Sequence, residues 1–368
     1  MKVAQLLYSG LGGHGSVVFP MLDADKDGEW HSILGFVGIE PLLQAYAHMC
    51  SERNIAFEYF PSTPNKPWLN WGKILSWLND NKPDVILLHS MTYLLPCLWY
   101  VRLNGCKLVV VEHQAISLKR PIEFVFTYFS MMLADWVVLL TTSYACELKL
   151  KMGLFFRSAK VKIIPNGIDP TRFRPFPKSE KIGNPIQLGM AGRFTSSKRQ
   201  DVLVAMMSHL RHSVSSVDWR LSLAGDGERM EVLQKMVLTQ RQEDFITLTG
   251  QLDESQMITW YQSLDYYVHA TEAETLSTAL LQAMATGLPI IASDVPGISN
   301  LLKGDEGQLG FLIKQNTPEA FAYGVVSLHS DPLLQVKLGK ATRLCVEQSY
   351  TQRKMFESYK ELIKGGRN

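Results

Sequence analysis

The sequence predicts an α/β protein with two doubly wound domains that face a central cleft. Short apolar runs alternate with helical stretches along the whole chain, which is typical of parallel sheets joined by crossover helices. The chain has 368 residues, of which 46% are apolar, and this is enough for two domains that each have a core. A charged segment with several prolines, residues 169–185, interrupts the alternation and predicts a linker.

The predicted strands follow the apolar runs in chain order. They are KVAQLLY, PDVILLHS, KLVVVEH, DWVVLLT and KIIPN in the first half, and IQLGMAG, WRLSLAGDG, ITLTG, YYVHAT, PIIAS and GFLI in the second. Asp135 interrupts the longest apolar window, FVFTYFSMMLADWVVLL, so its second half predicts a buried strand and no transmembrane segment is expected. We expect domains at 1–176 and 177–348. The last helical stretch, 349–368, has no strand after it and is expected to pack back on the first domain.

The stretch ETLSTALLQAMATGLP, residues 274–289, predicts a helix with Glu274 just ahead of it and Gln282 inside it. Apolar residues recur at helical spacing, and the cap-type residues in front place the helix start near Thr275. Gly287 and Pro289 predict its end. Glu274 then precedes a helix N-terminus, where backbone N–H groups hold anions such as phosphate. Gln282 is expected about two turns inside the helix.

Several glycines and polar residues follow predicted strands, where open parallel sheets bind their ligands. After IQLGM, the segment AGRFTSSK places Arg193 and Lys198 close enough to converge on one diphosphate. Surface cations are common, so the neighbouring Glu274 and its helix strengthen this interpretation. The other glycines and polar residues that follow predicted strands are Gly12, Gly13, Gly15, Glu112, His113, Gly192, Asp226 and residues 269–274.

Two of these positions have a structural and a functional interpretation. The LGGHG turn, which contains Gly12 and Gly13, can bring backbone N–H groups to a phosphate, or it can be an ordinary tight turn between a strand and a helix. His113 can donate a proton, bond a sugar hydroxyl, or be a half-buried structural histidine. The residues alone leave both questions open.

Metal and disulfide chemistry are not expected. The segment LDADKDGEW matches the start of a calcium-binding loop, but its twelfth place is Leu34 where a bidentate glutamate is required. Five cysteines form no CxxC pair and are odd in number, which favours a reducing cytoplasm. The start, MKVAQLLYSGLGG, has too short an apolar run for a signal peptide.

The positive charge of the chain is concentrated in residues 149–178, where eight Lys and Arg side chains face a single acid, Asp169. No RNA-binding motif or basic recognition helix accompanies them, so nucleic acid is not an expected partner. Residues 149–160, which lie within the stretch LKLKMGLFFRSAK, mix Leu154, Phe155 and Phe156 with cations. This mixture fits a segment on an anionic membrane surface, and it also fits a solvated helix end with two core phenylalanines.

The motifs occur in a familiar order. GGHG, the EH pair at 112–113, PNGID, the GRF…K pair, LAGDG and the helix segment at 274–289 together resemble the retaining GT-B glycosyltransferases of family 4. This family includes sucrose synthases and many bacterial polysaccharide and lipopolysaccharide transferases. The resemblance covers nearly the whole chain and is strongest between Ile163 and Gly310.

The resemblance implies roles for the matching side chains. Gly12 and Gly13 would approach a phosphate of the sugar donor. Arg193 and Lys198 would neutralise the diphosphate leaving group, and Glu274 would contact hydroxyls of the donor sugar. Cations aimed at a departing diphosphate stabilise the charge that develops on it, so such chemistry needs no metal.

The resemblance also implies that His113 lies beside the transferred sugar. The family has a second glutamate that binds ribose, and Gln282 stands in its place. An amide still makes hydrogen bonds but lacks the charge of a carboxylate. We expect this to weaken the binding free energy of the donor by on the order of 1 kcal/mol. The other donor-binding residues are Gly192 after the first strand of the second domain, Gly250, Gln251 and Leu252 around the base, and Thr275, Leu276 and Ser277 at the phosphates.

The expected activity is transfer of a sugar from a UDP or GDP donor to a glycan or a lipid-linked glycan, with retention of anomeric configuration. The resemblance places it in the cytoplasm, at the inner face of the inner membrane, in bacterial surface polysaccharide synthesis. No cofactor is implied. Two alternatives remain open: a nucleotide-sugar 2-epimerase, and an inactive nucleotide-sugar-binding subunit, which Gln282 favours.

Overall fold

The computed structural model describes residues 1–10, 13–176, 185–304 and 307–365. They form two compact units, unit 1 (Met1–Gly167 with Gln352–Asn368) and unit 2 (Ile168–Thr351). The predicted domain boundaries, after 176 and after 348, lie near these divisions and stay predictions.

Unit 1 is a seven-stranded parallel sheet with the strand order β3-β2-β1-β4-β5-β6-β7. Its elements are β1 (Lys2–Tyr8), α1 (Gly15–Ala24), β2 (His31–Gly38), α2 (Gln44–Glu52), β3 (Ala56–Pro61), α3 (Trp71–Asn81), β4 (Val85–Leu88), α4 (Leu94–Asn104), β5 (Lys107–Glu112), α5 (Pro121–Leu133), β6 (Trp136–Leu139), α6 (Thr142–Met152) and β7 (Val161–Ile163).

Unit 2 has a six-stranded parallel sheet with the order β10-β9-β8-β11-β12-β15. Its elements are β8 (Ile186–Ala191), α7 (Gln200–Ser213), β9 (Trp219–Ala224), α8 (Met230–Thr239), β10 (Ile246–Gly250), α9 (Glu254–Ser263), β11 (Tyr266–His269), α10 (Thr278–Ala285), β12 (Ile290–Ser293), α11 (Pro296–Leu302), the short pair β13 (Lys303–Gly304) and β14 (Gly307–Gln308), β15 (Phe311–Ile313), α12 (Pro318–His329) and α13 (Pro332–Ser349).

Both sheets confirm the predicted doubly wound folds, because helices cover both faces. In unit 1, one core cluster joins the strands to α3, α4, α5 and α6, and a second joins them to α1 and α2. The strand order reverses between β1 and β4 in unit 1 and between β8 and β11 in unit 2. Open parallel sheets bind ligands at such switch points.

The last helix, α14 (Gln352–Lys364), packs on unit 1 and confirms the expected return of the chain. The rings of Phe356 and Trp30 lie 4.8 Å apart. Lys107 Nζ donates a hydrogen bond to Ile363 O at 2.7 Å. Glu29 pairs with two lysines of α14, so the contact has an apolar centre and a charged rim.

Two other expectations concern local segments. The calcium-like segment is a structural turn, because Asp25 accepts hydrogen bonds from the backbone N–H groups of Glu29 and Trp30 and Asp23 pairs with Arg53. In the predicted linker, Phe173 packs edge-on against a ring of α9 within unit 2. Residues 177–184, which include Lys178, lie outside the described part of the chain.

Among the described residues, no helix is both long enough and apolar enough to span a bilayer. The five cysteines form no disulfide, and three of them are buried.

Candidate functional site

The helix at the candidate site starts later than the sequence predicts. α10 begins at Thr278, and Ser277 is its N-cap, since the Ser277 hydroxyl accepts a hydrogen bond from Leu280 N at 3.3 Å. Thr275 and Leu276 are both buried in the loop ahead of the cap. The predicted start near Thr275 is therefore wrong by three residues. Of the three cap-type residues Thr275, Ser277 and Thr278, it is Ser277, directly after Leu276, that is the cap.

The later start also moves Gln282. It is the fifth residue of α10, about one turn inside and not two. The Tyr261 hydroxyl lies 3.2 Å from Gln282 Oε1 and 2.9 Å from Ala279 O, and its single proton bonds one of them at a time. The helix ends as predicted, since Gly287 takes a left-handed conformation with φ of +75° after the last turn.

Lys198 and Glu274 form an ion pair at the carboxyl ends of β8 and β11. The Lys198 side chain is 21% exposed and the Glu274 side chain 14%, so water reaches both only in part. His269 is almost fully buried, and its Nε2 lies 3.7 Å from the Glu274 carboxylate. The structure thus brings together two side chains that the sequence places 76 residues apart. It adds His269, which was expected near the ligand as one of residues 269–274 but was given no role of its own.

The cluster keeps Glu274 ionised. Burial alone raises the pKa of the Glu274 carboxyl, but Lys198 and His269 outweigh burial and lower it to about 2. Burial also lowers the pKa of His269 below its usual value, although Glu274 acts in the opposite direction. At neutral pH Glu274 is therefore a carboxylate and His269 a neutral imidazole.

Backbone bonds hold the two sides of the pair together. Ser197 O accepts hydrogen bonds from Glu272 N at 2.8 Å and from the Thr271 hydroxyl at 3.0 Å. These bonds join the loop of Lys198 to the loop of Glu274. A Cβ on Gly297, in α11, would lie 2.1 Å from Glu274 O, so only glycine permits this close packing.

Arg193 begins the loop that ends at Lys198. Its carbonyl accepts hydrogen bonds from Thr195 N at 3.0 Å and Gln200 Nε2 at 3.2 Å. Gly192 stands before it with φ of +157°, and a Cβ on Gly225 would lie 2.1 Å from Gly192 O. This turn thus depends on close backbone packing at the end of β8. Contact between Arg193 and a donor stays a prediction.

The predicted base-binding segment follows β10. Gly250 has φ of +72°, which favours glycine, and its carbonyl accepts a hydrogen bond from Gly225 N at 2.9 Å. Leu252 lines an open cavity of about 420 Å³ together with side chains of α9. Gln251 is exposed. The assignment of Gly250, Gln251 and Leu252 to the base stays a prediction.

In unit 1, His113 belongs to a cluster of three histidines with His14 and His89. The rings of His14 and His113 lie 4.6 Å apart, and His89 Nδ1 lies 2.9 Å from His113 Nε2. Gly13 is exposed beside them, and Gly12 lies outside the described residues. Sequence reasoning missed His89, although its place at the end of the predicted strand PDVILLHS was a signal.

Burial keeps these histidines neutral. It lowers the pKa of His14 to about 4 and that of His89 to about 3, and it lowers the pKa of His113 as well. Within the described ranges, no group of three His, Cys, Asp or Glu side chains is arranged to hold a metal ion, and this histidine cluster is no exception.

A buried ion pair lies directly beside His113. Lys119 and Glu112 are each at most 2% exposed and contact each other. Lys119 Nζ also donates a hydrogen bond to Thr127 Oγ1 at 2.5 Å. This pair joins the end of β5 to α5, so it fixes the backbone from which His113 projects.

Comparisons with known proteins identify the family of the chain. A family model described as "Glycosyl transferases group 1" matches residues 185–331, and one described as "Glycosyltransferase Family 4" matches residues 40–172. The chain belongs to the family 4 glycosyltransferases. The resemblance inferred from the motifs is confirmed.

Two relatives of this family 4 chain match it at the same identity but over different lengths. An uncharacterized glycosyltransferase of Haemophilus influenzae is 26% identical over 282 residues, which cover 76% of this chain and 75% of that protein. A D-inositol 3-phosphate glycosyltransferase of Pseudarthrobacter chlorophenolicus is 26% identical over 217 residues, 57% of this chain. The match spans only about half of the second relative, 51% of its length.

A solved structure shows the same fold. Anabaena Alr3699/HepE in complex with UDP-glucose superposes on this family 4 chain with a TM-score of 0.83 at 16% identity, covering 99% of each chain. The GT-B architecture is thereby confirmed.

Proposed function

We propose that the protein transfers a sugar from a UDP or GDP donor to a glycan or lipid-linked glycan acceptor, with retention of anomeric configuration. Its place would be bacterial surface polysaccharide synthesis, on the cytoplasmic face of the inner membrane. One observation carries the proposal: the Lys198–Glu274 pair lies beside the N-terminal end of α10, at the switch point of a doubly wound sheet. The HepE complex with UDP-glucose supports a sugar-diphosphate ligand.

The chemistry follows from the charges. Negative charge develops on the diphosphate as the bond to the anomeric carbon breaks, and a nearby cation stabilises that charge more than it stabilises the bound donor. Lys198 supplies such a cation, and Arg193 on the same loop is proposed to supply a second. Glu274 stays a carboxylate at neutral pH, so it can accept hydrogen bonds from sugar hydroxyls.

In this proposal, Gln282 hydrogen-bonds the ribose differently from the family glutamate. Its carbonyl oxygen lies beside the Tyr261 hydroxyl, so its amide N–H groups are proposed to donate to ribose oxygens. The family glutamate accepts from the same hydroxyls. The expected result is a weaker donor affinity with the reaction preserved.

The activity is tested with radiolabelled UDP and GDP sugars and bacterial lipid extracts. We expect a labelled lipid-linked product from one donor, and NMR of that product should show the anomeric configuration of the donor. Hydrolysis alone, with firm donor binding, would reject the transferase activity. An epimer formed without acceptor would instead establish the 2-epimerase alternative.

We also propose a membrane-facing surface on unit 1, and the contacts extend it beyond residues 149–160. Along α5, Ile122, Val125, Phe129 and Leu133 are exposed and share one face at helical spacing. The loop after α6 joins this face, because the rings of Tyr128 and Phe155 lie 4.9 Å apart. Leu154 is 94% exposed. Exposed cations surround these side chains: Lys149, Lys151 and Arg157.

Apolar side chains ringed by Lys and Arg fit an anionic lipid surface. We expect the full chain to sediment with vesicles of phosphatidylethanolamine and phosphatidylglycerol, and the double variant Phe129→Glu/Leu154→Glu to lose most of this binding. Leu333→Glu is the matched control, because Leu333 is 85% exposed but lies in unit 2. Equal binding by wild type and the double variant would rule out this surface.

A further inference from the structure

A continuous row of hydrogen-bonding groups runs from the centre of the unit 1 sheet to His113. Gln5 lies in the middle of β1 and is fully buried, and His89 follows β4 and is 3% exposed. His89 Nε2 lies 3.2 Å from Gln5 Oε1, and His89 Nδ1 lies 2.9 Å from His113 Nε2. A glutamine in the centre of an apolar strand is costly unless its amide has a partner.

The chemistry of these groups decides where each proton is. An amide oxygen only accepts hydrogen bonds, so His89 Nε2 must carry a proton to bond Gln5 Oε1. Burial lowers the pKa of His89 to about 3, so the ring is neutral and its Nδ1 carries no proton. His113 Nε2 is therefore the donor in the bond between the two rings, and His113 keeps a lone pair on Nδ1.

The tautomer of His14 is also fixed by a group of β1. Its Nδ1 accepts a hydrogen bond from Tyr8 N at 3.0 Å. A backbone N–H can only donate, so the proton of neutral His14 is on Nε2. Two of the three histidines are thus held in a defined tautomer by groups of β1.

We propose that Gln5 and His89 are positioning residues that hold His113 in its Nε2-protonated tautomer. The proposal rests on the proposed function, in which His113 lies beside the transferred sugar. In this tautomer, Nδ1 of His113 can accept hydrogen bonds and cannot donate one. Gln5 is two hydrogen bonds away from His113 and contacts no substrate itself.

The test uses the full chain with ¹⁵N-labelled histidine. Long-range ¹H–¹⁵N NMR correlations distinguish the protonated from the unprotonated ring nitrogen, and spectra of His89→Phe and His113→Phe assign the signals. We expect His113 of the wild type to carry its proton on Nε2. Gln5→Leu removes the acceptor for His89, so His113 should become a mixture of both tautomers.

Kinetics supply the second readout. Gln5→Leu should lower kcat roughly 10-fold with little change in the KM of the donor. The reason is that Gln5 affects only the tautomer of His113 and contacts no substrate. In a His113→Ala background the same substitution should have no further effect on kcat, since its partner is gone. Multiplying losses in the double variant would show that Gln5 does not act through His113.

The proposal is overturned if His113 of the wild type carries its proton on Nδ1, or if Gln5→Leu leaves its signals unchanged. Failure of the proposed function looks different. A wild type with the expected tautomer that transfers no sugar would reject the transferase activity and leave this row of hydrogen bonds established.

Discussion

Replacing Lys198 with methionine is expected to lower kcat by about 10²–10³-fold, the usual loss when a group that stabilises developing charge is removed. The affinity for the donor should fall less than kcat, because the additional negative charge on the leaving diphosphate develops only as the bond breaks. Steady-state kinetics with the active donor, together with calorimetric binding of that donor, measures the two effects separately.

Arg199 offers a matched control for Lys198. It is the next cation along the chain, and it pairs with Asp201 and Glu272. Arg199→Met should therefore keep kcat near that of the wild type. A Lys198→Met enzyme with wild-type kcat, or an equal loss in both variants, would contradict the role given to Lys198.

Because the pKa of Glu274 is about 2, loss of activity between pH 7 and pH 5 should not come from this carboxylate.

Replacing Lys119 with methionine is expected to lower the free energy of unfolding of unit 1 by about 3–5 kcal/mol. The variant leaves the carboxylate of Glu112 buried without its cation. Methionine has a similar length, so the loss should come from the charge and not from a cavity. Hydrogen exchange of the β5 and β6 amides measures the free energy of opening in unit 1 alone.

Two variants make this prediction specific. Arg120→Met removes an ion pair with Glu123 whose arginine is 68% exposed, and it should hardly change the exchange rates. The double variant Glu112→Gln/Lys119→Met should be more stable than Lys119→Met, because it contains no unpaired buried charge. Equal stability of Lys119→Met and wild type would contradict the account of this pair.

Much of the fold was predictable because buried parallel strands are continuous apolar runs. Each predicted strand overlaps a strand of the structure, and KVAQLLY is β1 in full. β2 and β3 were missed. β3 is an edge strand whose side chains are mostly exposed, so it has no apolar run. β2 contains Gly35, where a Cβ would lie 2.6 Å from the Leu6 side chain, and a glycine there weakens the strand pattern.

The site in unit 2 was predictable in part. Lys198 and Glu274 were expected to converge because both follow strands near the switch point, and the structure pairs them. The start of α10 was not predictable, because it depends on which of several cap-type residues follows a buried side chain. Gln5 and His89 meet only through the alignment of β1 with β4, where Gln5 pairs with Leu87, and no local pattern encodes that alignment.

The most direct test of the account is the structure of the full chain with the UDP or GDP sugar that stabilises it most against heat. The account predicts the diphosphate within hydrogen-bonding distance of the Lys198 or Arg193 side chain, and a hydroxyl of the donor sugar about 3 Å from the Glu274 carboxylate. A donor bound with its diphosphate away from both cations and its sugar away from Glu274 would contradict it.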